Sequence, residues 1–359
     1  MIKLASEKNN YHALGVMSGT SVDGLDLALV RFDKIDEAWE FNLIEAATLP
    51  YDENWQSALK SAIDWDMAAI MELDVQYAHY LATQIASFLE GKVPVDFIAS
   101  HGHTVLHQPE RGITLQIGDG DHISADLGIP VVSDFRSLDV SLGGQGAPLV
   151  PVGDRDLFSA YDYCLNLGGI ANISFNNNGK RQAFDICPIN MALDPLAQAL
   201  GQPYDEGGKL AQAGNIDSHL LESLNNIPYC HQPFPKSLGL EDYQRDWLPV
   251  ISQAECSTTD KLSTVTEHVA LQTAQYIHDA TAETQLLVTG GGAFNDYFIA
   301  RLKAHTPAEV VIPDASVIHF KEAIVFAYLG LLRVLDKPNC LASVTGASHD
   351  NSGGKLSGF

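Results

Sequence analysis

Twice in this chain a run of apolar residues breaks at a short turn of glycine and small polar side chains, then resumes. Leu14, Val16 and Met17 lead into 18-SGTSVDGLD, after which Leu25, Leu27, Leu29 and Val30 return. The pattern restarts at 163-YCLNLGGIANISF, where Leu165-Asn166-Leu167 passes through Gly168-Gly169 to Ile170, Asn172, Ile173 and Phe175. Apolar runs on either side of a Gly-bearing turn read as strand, turn, strand. Two halves that begin alike predict two similar sheets facing one another across a cleft, and ligand sites favour such interfaces.

Each turn has two readings. Gly, Ser, Thr and Asp are what an ordinary hairpin turn uses. They also suit an anion cradle, in which glycine lets backbone N–H groups approach the charge and hydroxyls add donors. The aspartates would then hold a metal ion or a water, since they repel phosphate. A third glycine cluster, 286-LLVTGGGAFND, follows a helix expected to start at Thr264, where Thr264 and Glu267 have capping-box spacing. A strand ending in three glycines lets a flat ring or a sugar lie on bare backbone.

Between these motifs, Ala, Leu and Ile recur at helical spacing across about Trp55–Leu89. Strands are expected in 96-DFIASHGHTVLHQ, 113-ITLQIG and 129-IPVVSDF, and a hinge or crossing point in 141-SLGGQGAPLVP. With 359 residues, 46% hydrophobic and 18% charged, the chain is long enough for two globular domains.

Composition also excludes partners. The net charge of -24 is spread without a run of like charges, which disfavours nucleic acid and anionic membrane surfaces. An anionic substrate must be met by a few cations or by backbone donors. No membrane-spanning apolar run is read in the sequence. The N-terminal stretch lacks an apolar core with a small-residue cleavage site, which predicts a cytoplasmic protein. Five scattered cysteines without a C-x-x-C fit a reducing compartment and no zinc site. Lysine follows glycine at Gly91, Gly179, Gly208 and Gly354, but Val, Arg, Leu and Leu come next, so no Walker A loop forms. Neither 143-GGQGAPL nor 290-GGGAFN completes a dinucleotide fingerprint.

Several polar residues keep two readings. His101, His103 and His107 could supply metal ligands or line a turn, and no H-x-D-H follows them. Arg136 could meet a substrate carboxylate or pair with Asp134 or Asp139. Glu322 reads as the opening of a helix, where a carboxylate complements the dipole.

Taken in order, 15-GVMSGTSVDGLD, 100-SHGHTVLHQP, 114-TLQIGDG, 144-GQGAPLVP, 166-NLGGIANIS, 203-PYDEGG, 289-TGGGAFN, 322-EAIVFAYLG and 344-VTGAS resemble the 1,6-anhydro-N-acetylmuramic acid kinase family. That family belongs to the sugar-kinase/Hsp70/actin superfamily. The resemblance implies an α/β, two-domain fold of duplicated RNase H-like domains with an interdomain cleft. Residues 1–138 plus 340–359 would form one domain and 139–339 the other.

The resemblance further implies ATP and Mg²⁺ as cofactors and a homodimer as the working form. Gly19, Thr20, Ser21, Asp23, Gly24 and Asp26 would line the triphosphate, with Mg²⁺ at Asp23 and Asp26 directly or through water. The second hairpin, Asn166 to Asn172 with Gly168 and Gly169, would close on the phosphates, and Gly290, Gly291 and Gly292 would support the nucleoside. Asp185 would be the base that draws a proton from water as it attacks C1. O6, freed from the 1,6-anhydro bridge, would take the γ-phosphate and give N-acetylmuramic acid 6-phosphate in cell-wall recycling. His101, Arg136, Asn190 and Glu322 would face the sugar.

Two segments depart from the family. Its usual F-D-T-G-P-G-N-M is here Phe184-Asp185-Ile186-Cys187-Pro188-Ile189-Asn190-Met191, and K-S-T-G-R-E is Lys236-Ser237-Leu238-Gly239-Leu240-Glu241. Ile186, Cys187 and Ile189 are expected to narrow or dry the surroundings of Asp185. The departures leave two alternatives, a kinase for a different anhydrosugar and a non-catalytic nucleotide-binding sensor.

Overall fold

A computed structural model describes residues 8–19, 22–277 and 279–359. Its first three strands, β1 (Asn10–Ser18), β2 (Gly24–Ile35) and β3 (Ala38–Pro50), form an antiparallel meander. β1 is buried on both faces over most of its length, so its apolar run is continuous instead of alternating. Gly15 shows why it has no side chain: a Cβ there would stand 1.8 Å from the carbonyl oxygen of Ala323. β4 (Phe97–Ser100) pairs in parallel with β1. β5 (His103–Gln108) and β6 (Ile113–Ile117) make a separate hairpin, and β7 (Val131–Ser133) continues the main sheet in parallel with β4.

The helix Met67–Leu89 lies between β3 and β4 in sequence. Asp66 caps it by accepting the Ala69 N–H. It buries Ile70, Leu73, Tyr77, Leu81, Ile85 and Phe88, one helical stripe, against Leu14, Val16 and Leu27 of the sheet.

The second sheet repeats the first. β8 (Tyr163–Leu167), β9 (Ile170–Asn177) and β10 (Lys180–Pro188) form another antiparallel meander. β11 (Gln285–Thr289) pairs in parallel with β8, and β12 (Glu309–Val311) in parallel with β11. The order β10-β9-β8-β11-β12 therefore matches β3-β2-β1-β4-β7, strand for strand and direction for direction. A short β13 (Lys355–Ser357) adds one antiparallel strand beyond β7. Mixed sheets packed with helices are the α/β class expected.

The compact units are 1–157 with 320–359, and 158–319. The sequence reading put 139–157 and 320–339 with the second unit; they pack into the first. The Asp139 carboxylate, fully buried, accepts hydrogen bonds from Thr345 and Asn351 side chains and the Gly146 N–H. Lys321 and Asp154 form a buried ion pair at 2.7 Å. The Gly- and Pro-rich stretch at 141–151 is thus a turn inside the first unit, with left-handed Gly143 and Gly146, and not a crossing.

Two helix boundaries also differ from expectation. One helix spans Thr258–Ala274, capped by Ser257 accepting the Asp260 N–H. Thr264 lies inside it and bonds back to the Asp260 carbonyl, while Glu267 is held by Arg301 and His305. Another spans Ala315–Val334, so Glu322 sits within it and does not open it. This second helix is, among the described residues, long and apolar enough to cross a membrane, which the sequence reading did not register. Two thirds of its apolar window is buried within the protein.

Candidate active site

In the second unit, strand register assembles a polar row. Asp185 on β10 lies opposite Asn172 on β9, Asn172 opposite Asn166 on β8, and Asn166 beside Thr289 on β11. Register partners share one face of a sheet, so these four side chains project to the same side. The row brings the expected base beside the second glycine hairpin.

Asp185 is tied to a loop about fifty residues downstream. Its Oδ2 accepts the Leu238 N–H at 2.9 Å, its N–H donates to the Lys236 carbonyl, and its carbonyl accepts the Tyr229 hydroxyl at 2.8 Å. Burial raises the carboxyl above the usual aspartate range, and the Leu238 N–H works against that rise by stabilising the charged form. A bulge between Asp185 and Cys187 breaks the alternation of β10. Consequently Ile186, Cys187 and Ile189 are all fully buried in the core beneath the sheet, while Asp185 stays half-buried. Lys236, the cation kept in the second departing segment, donates to the Tyr276 hydroxyl and the Tyr229 carbonyl. Burial lowers its pKa.

The hairpin turn is built by neighbours of Asp185. Asn190 Nδ2 donates to the carbonyls of Gly168, at 2.7 Å, and Leu167. The Gly169 carbonyl accepts the N–H groups of Ile189 and Met191. Gly290 and Gly292 wedge against Leu167, where added Cβ atoms would come within 2.7 Å and 2.6 Å of it, and Gly290 has φ +81°. By contrast, a Cβ on Gly168 or Gly169 would meet nothing nearer than 3.7 Å and 3.8 Å, and one on Gly291 nothing nearer than 4.0 Å. Folding does not demand glycine at those three positions. Their bare backbone fits a phosphate-bearing nucleotide that must approach N–H groups closely. Asn190, expected to face the sugar, spends its amide on this turn.

In the first unit, Gly19 accepts the Val22 N–H across the first turn. Thr20 and Ser21, expected phosphate contacts, lie outside the described residues. Gly24 is sterically required, because a Cβ would stand 2.8 Å from Thr48 Cγ2 and 2.9 Å from the Leu49 carbonyl oxygen. Asp23 is exposed; Asp26 is half-buried and accepts the Thr48 hydroxyl. These carboxylate oxygens are a donor set that suits a hard cation such as Mg²⁺.

His101 and Arg136 act as one unit. Arg136 Nε and Nη2 both point at His101 Nε2, at 3.0 and 2.8 Å, and Nη1 donates to the Gly146 carbonyl. His101 Nε2 is therefore an acceptor, and Nδ1 carries the proton toward the Gly102 carbonyl. Burial first, then the Arg136 charge, hold this imidazole neutral well below its usual range. Arg136 thus pairs with neither Asp134 nor Asp139 among the described residues. Three of its five N–H groups are engaged. Glu322 reaches solvent, yet the protein around it raises its pKa; Arg136 and Lys321 oppose that rise and Asp26 adds to it. A cavity of about 190 Å³ adjoins His101, lined also by Asp74, Ser100, Gln116, Asp134 and Ser137. The three histidines take separate partners, since His103 meets Ser18 and His107 meets Thr114, so they are not gathered on one metal.

Sequence reasoning missed Tyr229 and the Leu238 N–H. A backbone donor carries no residue-type signal, and Tyr229 lies too far along the chain for spacing to reveal it. Nor did it single out Ser18 and Tyr51, which meet at the end of β1.

A family model described as anhydro-N-acetylmuramic acid kinase matches residues 11–357. A Saccharophagus degradans protein bearing that name is 34% identical, covering 94% of this chain and 96% of its own. Namesakes from Salinibacter ruber, at 36% identity over 96% and 95% of the two chains, and Gloeobacter violaceus, at 37% over 93% and 95%, are similar along almost their whole length.

Proposed function

We propose that this chain, which belongs to the anhydro-N-acetylmuramic acid kinase family, uses ATP and water to open 1,6-anhydro-N-acetylmuramic acid and phosphorylate its O6. The observation that carries the reading is Asp185, a half-buried carboxylate with raised pKa, set in one row with the glycine hairpin of the second sheet. In the proposed step a water oxygen bonds to C1 and its proton passes to Asp185. The C1–O6 bond breaks, and O6 takes the γ-phosphoryl group as ADP leaves. The products are N-acetylmuramic acid 6-phosphate and ADP.

A raised pKa suits that role, because a base poised nearer the working pH accepts a proton more effectively. The Leu238 N–H fixes the carboxylate's direction. Phosphoryl transfer itself depends on positioning and on spreading charge, for which the bare backbone of Gly168, Gly169 and Gly291 is suited; we assign Gly19 to the same phosphates. Mg²⁺ at Asp23 and Asp26 would supply neutralisation of phosphate charge when bound. His101, held neutral by burial and by Arg136, and the accessible Glu322 are the groups we assign to the sugar. The same reading makes the enzyme a cytoplasmic homodimer.

A coupled ADP-release assay over a panel of anhydrosugars, with product masses, tests it. ADP release should require the 1,6-anhydro sugar, and the product should gain one phosphoryl group and one water. Turnover only with another anhydrosugar would replace the substrate. Tight ATP binding without turnover on any sugar would replace the enzyme with a sensor.

A further inference from the structure

At the end of β1 lies a buried chain of hydroxyls that no step of the chemistry uses. Ser18, the last residue of β1, is 2% exposed, Tyr51 is 4%, Tyr77 0% and His103 3%. The Tyr51 hydroxyl donates to Ser18 Oγ at 2.8 Å and lies 2.6 Å from the Tyr77 hydroxyl; Ser18 Oγ lies 3.0 Å from His103 Nδ1.

The direction of every bond follows. Tyr51 has one proton and gives it to Ser18, so the Tyr77 hydroxyl donates to Tyr51. Ser18 then has its own proton free for His103 Nδ1, which must accept. His103 is accordingly neutral with its proton on Nε2. The Leu59 backbone acts on the ring as an acceptor does, and burial depresses the imidazole's pKa. Burial also raises the tyrosines, Tyr51 to about 12 and Tyr77 well above the usual value, so both keep their protons at working pH. The chain is fully directed and runs from Tyr77 through Tyr51 and Ser18, the residue immediately before Gly19, to His103.

We propose that Ser18, Tyr51 and His103 are positioning residues that fix the end of β1, and with it the Gly19 backbone, for the nucleotide phosphates. The proposal rests on the kinase reading, since it assumes that this turn meets ATP. Three separate elements contribute: the segment after β3 carries Tyr51, the helix Met67–Leu89 carries Tyr77, and β5 carries His103. Together they constrain the Ser18 side chain, and through it the backbone that leads into Gly19. Backbone donors that must meet phosphate oxygens lose effect quickly when displaced, so a loosened Ser18 weakens nucleotide binding before it weakens sugar binding.

The test compares Ser18→Ala, Ser18→Thr, Tyr51→Phe and Tyr77→Phe in the full chain. Measured are the affinity for a non-hydrolysable ATP analogue, the KM values for ATP and for sugar, and the thermal midpoint. Ser18→Ala takes away the acceptor of the Tyr51 proton and the donor to His103 Nδ1, and the KM for ATP should rise about tenfold. Tyr51→Phe should raise it about threefold, Tyr77→Phe less, with the sugar KM within about twofold in each. Ser18→Thr, which restores a hydroxyl, should recover most of the loss. If Ser18→Ala does not fold, Tyr51→Phe carries the test.

Variants that lose thermal stability but bind the analogue as the wild type does would overturn the proposal and leave the chain a purely structural role. A wild type that fails to bind the analogue would overturn the kinase reading, and this inference with it.

Discussion

Leu238 donates its backbone N–H to Asp185 Oδ2 at 2.9 Å, joining β10 to a segment fifty-three positions away. The bond stabilises the charged carboxylate in a place where burial disfavours it. Replacing Asp185 by Asn preserves an oxygen for that donor while removing the base. Asp185→Asn should therefore lower turnover of the anhydrosugar by roughly 10²- to 10⁴-fold with nucleotide affinity nearly unchanged. Wild-type turnover in this variant would refute the assigned mechanism.

The same substitution should stabilise the fold at neutral pH. A carboxyl whose pKa is raised on folding holds its proton more tightly in the native state, so ionising it costs stability as pH rises past its unfolded value. Asn carries no charge and avoids that cost. Thermal midpoints should differ between wild type and Asp185→Asn at pH 7 and converge in acid, where both side chains are neutral. A variant less stable than wild type at pH 7 would contradict the raised pKa.

The pH profile of kcat/KM should show an acid limb governed by Asp185. The base works only when deprotonated, so activity rises with pH through the pKa, and burial places that midpoint above the ordinary aspartate range. An acid limb at or below the ordinary range would show that another group limits the reaction.

Two glycines separate binding from folding. Gly169→Ala introduces a Cβ whose nearest neighbour, Met191 Cε, is 3.8 Å away, so stability should change little while ATP affinity drops. Gly290→Ala places a Cβ within 2.7 Å of Asn166 Oδ1 and of the Leu167 carbonyl carbon at φ +81°, and should destabilise by about 1–3 kcal/mol or more. Denaturant midpoints and analogue titrations on both variants distinguish the two effects. Equal loss of stability would remove the case for bare backbone at Gly169.

Ile186, Cys187 and Ile189 were expected beside the base, and their burial changes what restoring the family's residues should do. Ile186→Thr with Cys187→Gly and Ile189→Gly removes core volume, and comparable large-to-small changes cost about 2–5 kcal/mol each. The triple variant should show a strongly lowered urea midpoint before any change in sugar preference. A triple variant as stable as the parent would mean that these side chains do not pack as described.

The duplicated meander was legible because both strand pairs carry apolar residues up to a glycine turn, a local signal. The helix at Thr258–Ala274 was misread because two capping patterns compete: Ser257 with Asp260, and Thr264 with Glu267 seven residues on. Only packing decides, since Glu267 has better partners in Arg301 and His305. Unit boundaries were illegible for a related reason. They depend on bonds from Asp139 to residues more than two hundred positions away, and the boundary near 320 falls within an unbroken helix. Asp185 was found through resemblance, and its apolar sequence neighbours already pointed to a raised pKa; its bulge and its tie to Leu238 follow from register and long-range contact.

β13 and the Asp139 cluster impose an order on biosynthesis. The second unit is one uninterrupted stretch, 158–319, whereas the first needs residues from both ends of the chain. A nascent chain leaving the ribosome can complete the later unit while the earlier one still lacks its β13 edge and the Thr345 and Asn351 partners of a buried carboxylate. The part translated first is thus the part finished last. Until Lys355–Ser357 have emerged, its β7 edge lacks that partner strand and is open to pairing with other chains.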